Sequence, residues 1–91
     1  MSERDTSSQD HAAARALAAL GWIVSDGGRA DRLLALTGLT PDDLRARLGN
    51  PQVLAAILGF LEAHEPDLVA CADSLGLAAA DLVAARRELE A

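Results

Sequence analysis

Alanine and leucine dominate this chain: 20 Ala and 16 Leu make up 36 of its 91 residues, against 4 Val, 2 Ile, 1 Phe, 1 Trp and no Tyr. Both are strong helix formers, because neither loses much rotamer freedom when a helix forms. Strands draw on β-branched and aromatic residues, so this balance excludes a β-sheet protein and predicts an all-α fold. A domain this short buries only somewhat over ~60% of the surface that its unfolded chain exposes. Each buried Ala also removes less apolar area from water than a Leu would. Close helix packing is therefore needed, with Trp22 and Phe60 expected at the packing centre as the bulky fillers. A homodimer is an expected way to cover the apolar surface left over.

Helical spacing and turn residues divide the chain. Residues 1–8 read as a disordered polar tail, and Ser7-Ser8-Gln9-Asp10 has the Ser-x-x-Asp pattern of a helix start. Ala13, Leu17, Leu20 and Val24 then recur at helical spacing, which predicts a first helix over about residues 9–25. Asp26-Gly27-Gly28 is expected to break it, since glycines tolerate a positive φ. A second helix over about residues 29–37 carries Leu33, Leu34 and Leu36 and ends at Gly38. The three prolines mark three further starts, because Pro at the first helical position loses no hydrogen bond. Thr40-Pro41-Asp42-Asp43 caps a short helix carrying Leu44 and Leu48 before Gly49. Asn50-Pro51 opens the next, with Leu54, Ile57, Leu58 and Leu61 on one face. A fifth starts at Pro66, with Glu65 as the cap candidate, and carries Leu68, Cys71, Ala72 and Leu75 before Gly76. The last, over about residues 79–90, carries Leu82, Ala85, Arg86 and Leu89, and its Ala78-Ala79-Ala80 start lacks a good N-cap residue. The expectation is a compact single-domain bundle of five to six short helices over residues 9–91, with helix-turn-helix-like corners.

Two of those corners echo each other: Gly38-Leu39-Thr40-Pro41-Asp42-Asp43-Leu44 and Gly76-Leu77-Ala78-Ala79-Ala80-Asp81-Leu82 share Gly-Leu-x-x-x-Asp-Leu. A glycine C-cap, an apolar next residue and an acid in the following first turn are what any tight helix corner uses, so the echo needs no duplication. The second corner, within residues 68–90, also fits a DNA-binding helix-turn-helix. Ala72 is the small residue, Gly76 the turn, and Cys71, Leu75, Leu77, Leu82 and Ala85 the apolar frame. Its reading face is poor. Ala79, Ala80, Val83 and Ala84 would meet the major groove, and none hydrogen-bonds a base edge. The formal charge of −6 is also uneven: −2 over residues 1–26, +1 over 27–49 and −5 over 50–91. The corner lies in the most acidic part, where phosphates are repelled, so nucleic acid is not expected as a partner.

The other chemical candidate is His64, Asp67 and Cys71, whose offsets of three and seven would share one helical face as mixed metal ligands or a Cys–His pair. Pro66 undermines that arrangement by starting a new helix after His64. His64 then belongs at the end of the preceding helix, Asp67 becomes a dipole partner and Cys71 a core residue. No metal, cofactor or catalytic residue is expected. A single cysteine forms no internal disulfide, and a reducing cytoplasm is the default setting. The longest apolar runs, residues 16–24 and 53–61, are about half of the ~20 residues a membrane helix needs. The acidic start Met1-Ser2-Glu3-Arg4-Asp5 does not suit a signal peptide.

Trp22-Ile23-Val24-Ser25-Asp26, Arg32-Leu33-Leu34-Ala35-Leu36-Thr37-Gly38-Leu39, Asp43-Leu44-Arg45 and above all His64-Glu65-Pro66-Asp67-Leu68 resemble domain of unknown function family 3572, short and largely alphaproteobacterial proteins. The resemblance covers nearly the whole chain after the tail. It implies a stand-alone helical bacterial protein and carries no activity, cofactor or catalytic residue with it. The functional expectation is therefore a small acidic adaptor, regulator or self-associating module that works through protein contacts, with helix-turn-helix DNA binding as the alternative. Arg29, Arg32, Arg45 and Arg47, in the one segment of net positive charge, are the candidate contact residues, since Arg is enriched at interfaces. On the third helix, Asp42–Arg45 and Asp43–Arg47 stand at pairing distance.

Overall fold

A computed structural model describes the backbone of residues 2–91 and the side chains of residues 8–91. Its elements are α1 (Ser2–Val24), α2 (Gly27–Thr37), α3 (Pro41–Ala46), α4 (Pro51–Glu62), α5 (Glu65–Leu75) and α6 (Ala79–Glu90). The all-α single-domain bundle read from the Ala and Leu content is the fold that forms. The α1 backbone is helical from Ser2, ahead of the start expected near Gln9. The polar tail expected over residues 1–8 falls, for Met1 and for the side chains of residues 2–7, outside the described residues.

α1, α4 and α6 pack against one another, with α5 and α2 laid on this centre. The packing face of α1 is its smallest one. Ala12, Ala16, Ala19 and Ile23, spaced by four, three and four residues, are all buried, and two of these alanines are wholly enclosed. Small side chains let helix axes approach closely, which suits a long helix crossing two others. The stripe expected to form this face, Ala13, Leu17, Leu20 and Val24, is rotated away from the centre. Leu20 is buried, but Leu17 is 42% exposed and Val24 51% exposed.

The centre itself is aliphatic. Ile23, Leu33, Ile57, Leu58, Leu61, Leu82 and Cys71 are the largest fully enclosed side chains, and the expected α4 face of Leu54, Ile57, Leu58 and Leu61 is buried throughout. Trp22 is only half-buried, and Phe60, though buried, has Arg32 on its outer side at 6.0 Å from the ring centroid. The aromatic packing centre expected from the sequence is thus displaced to the margin. Branched aliphatic chains fit the narrow space beside an alanine face better than rings do.

The turns correct one assumption and explain another. Gly27 and Gly28 do not break the chain by adopting positive φ: they form the first turn of α2, and Asp26 is the N-cap, its Oδ2 accepting the Arg29 N–H at 2.9 Å. Among the described residues, positive φ occurs at Gly38 (74°) and Gly76 (71°), the two glycines of the sequence echo. Both close a helix in the left-handed conformation that only glycine adopts freely. The Gly38 N–H reaches Leu34 O at 2.9 Å, and the Leu77 N–H reaches Ala72 O at 2.8 Å.

Each corner then opens its next helix with an aspartate three residues into it. Asp43 Oδ2 accepts the Thr40 N–H at 3.2 Å while Thr40 Oγ1 accepts the Asp43 N–H at 3.0 Å, a complete capping box. At the second corner Asp81 Oδ2 accepts the Ala78 N–H at 2.9 Å, which supplies half of that box where the sequence has no capping hydroxyl. The echo is therefore one corner chemistry used twice. α3 is shorter than expected, ending at Ala46 rather than before Gly49. No single helix among the described residues is long and apolar enough to cross a membrane.

Candidate interaction surface

The four arginines proposed from charge fall into two groups. Arg29 lies across Trp22, its guanidinium carbon 3.7 Å from the ring centroid, and its Nη2 donates to Trp22 O at 2.9 Å and Ser25 Oγ at 3.2 Å. A cation at the C-terminal end of α1 meets carbonyls that have no helical partner, so this contact ties α2 back to α1. Arg32 Nη2 donates to Asp67 Oδ2 at 3.1 Å and ties α2 to α5. These two are engaged within the fold.

Arg45 and Arg47 face solvent. Arg45 meets Asp42 at 3.1 Å, with the two side chains 77% and 91% exposed, a surface pair of the weakly stabilising kind. Asp43 does not reserve its carboxylate for Arg47 but turns Oδ2 to the Thr40 N–H. That bond, then the Thr40 hydroxyl and the nearby Arg47 charge, hold the Asp43 carboxyl below its ordinary pKa.

The His64-Glu65-Pro66-Asp67-Leu68 block forms a clasp rather than a ligand set. α5 begins at Glu65, so His64 occupies the N-cap position and Glu65, expected as the cap, is the first helical residue. His64 Nδ1 stands 3.2 Å from Asp67 Oδ2, the oxygen that also receives Arg32. Cys71 lies one turn deeper and is fully buried. Burial pushes its thiol pKa up, partly offset by Arg29 and reinforced by Asp67. Among the described residues no three His, Cys, Asp or Glu side chains converge on a point that a metal ion would occupy.

α5 and α6 turn by 99° across the Gly76 corner, within the range of a helix-turn-helix. The second helix is not a free reading element, however, because α6 packs against α1, α4 and α5 together. Of the four positions expected to face a groove, Ala80 and Ala84 are exposed while Ala79 and Val83 are half-buried. Arg86 is held on Glu62 of α4 and on Glu90 at 2.6 Å, both of which keep it charged. Arg87 is exposed beside the acidic Glu88.

An apolar groove is a further surface feature. It encloses about 540 Å³ between α1, α2 and α3. Leu17, Leu20, Gly21 and Val24 of α1 form one side, Ala30, Leu33 and Leu34 of α2 another, and Pro41 and Leu44 of α3 the third, with Leu48 beyond it. Arg45 is the charged residue among those lining it. An ideal Cβ built on Gly21 meets nothing within 4 Å, so the groove is open at that point. Helical spacing places Leu17 and Val24 on the core face, so the sequence does not mark them as surface residues, and it gives Gly21 no role. A usable signal was present: α1 carries one stripe of alanines and another of Leu and Val, more apolar surface than a single core face uses.

Fold and surface together define a small acidic all-α domain with an open apolar groove and, among its described residues, no cluster of three His, Cys, Asp or Glu side chains placed to hold a metal ion. The chain belongs to the family described as Protein of unknown function (DUF3572), whose model matches residues 9–91. No curated protein and no solved structure matches it.

Proposed function

We propose that this protein acts by binding other proteins, as a small non-catalytic adaptor or regulatory module of the cytoplasm. One observation carries this reading: α1 turns Leu17 and Val24 outward into a groove while burying alanines beneath it. Apolar surface left open costs solvation free energy, which a covering partner would recover. In-cell crosslinking followed by mass spectrometry tests the reading without presupposing a partner. Reproducible adducts to one or a few proteins are expected; recovery of the uncrosslinked chain alone would refute it.

The 99° corner of α5 and α6 favours helix-turn-helix DNA binding as a second reading. Its acidic surroundings and alanine-lined reading face weigh against it. Titration of a fluorescent random duplex at low salt separates the two readings. Saturable binding at tens of micromolar protein would favour DNA over protein contacts.

A further inference from the structure

We draw no further inference here: the strongest candidate, the apolar groove between α1, α2 and α3, carries nothing more because nothing in the structure shows what covers it, Arg45 at its mouth being already paired with Asp42.

Discussion

Replacing glycine by alanine should have opposite effects at two positions of this fold that are equally uncrowded. At both Gly21 and Gly76, an added Cβ finds no atom within 4 Å. Gly21 sits in the interior of α1, where alanine removes the entropic disadvantage of glycine and stabilises by roughly 0.5–1 kcal/mol. Gly76 is held at φ 71°, ψ 28° by the C-cap geometry of α5. There alanine brings its Cβ against the backbone and costs about 1–2 kcal/mol. For a domain of this size each kcal/mol moves the midpoint by roughly 4–8 °C. Gly21→Ala should therefore raise the thermal midpoint by about 2–8 °C, and Gly76→Ala lower it by about 4–16 °C. Circular dichroism melts of the two variants beside the wild type are sufficient. Destabilisation by Gly21→Ala would mean that the groove floor is filled in solution, and a neutral Gly76→Ala would mean that the corner does not hold its left-handed cap.

Other consequences are as direct. Phe60→Ala should cost about 3–5 kcal/mol in urea unfolding, since the ring is buried under Arg32, and a loss below about 1 kcal/mol would place the ring outside the packed core. Cys71 should resist a thiol reagent at neutral pH until the chain unfolds, because burial both encloses the thiol and raises its pKa; stoichiometric labelling of the folded protein would contradict this. Asp43 has a depressed folded pKa, so the stability it contributes is present above its ordinary value of 3.8 and lost as pH falls through the folded one. Urea midpoints measured between about pH 5 and pH 2 should fall less steeply for Asp43→Asn than for the wild type, and parallel curves would refute the assignment.

Much of the fold was legible locally. Pro41, Pro51 and Pro66 each lie in the first turn of a helix, and Thr40 and Asn50 cap helices through bonds between neighbours in sequence. The Gly-Leu-x-x-x-Asp-Leu echo could be read as corner chemistry without coordinates, because every bond in it closes within six residues. The surface was less legible. Arg29, Arg32, Arg45 and Arg47 look alike in the sequence, yet two of them meet groups on another helix and two do not. Arg32 and Asp67 are 35 positions apart, and no local pattern pairs them.

What the sequence by itself determined is the helical class and its punctuation: alanine and leucine favour the helix, while proline, glycine and the capping acids act within a turn or two of where they stand. Tertiary structure decided which face of α1 became core. Both stripes of that helix are apolar and either satisfies helical periodicity, so the choice fell to packing against α4 and α6. The alanine face permits the closer approach, and the Leu and Val face is left lining the groove.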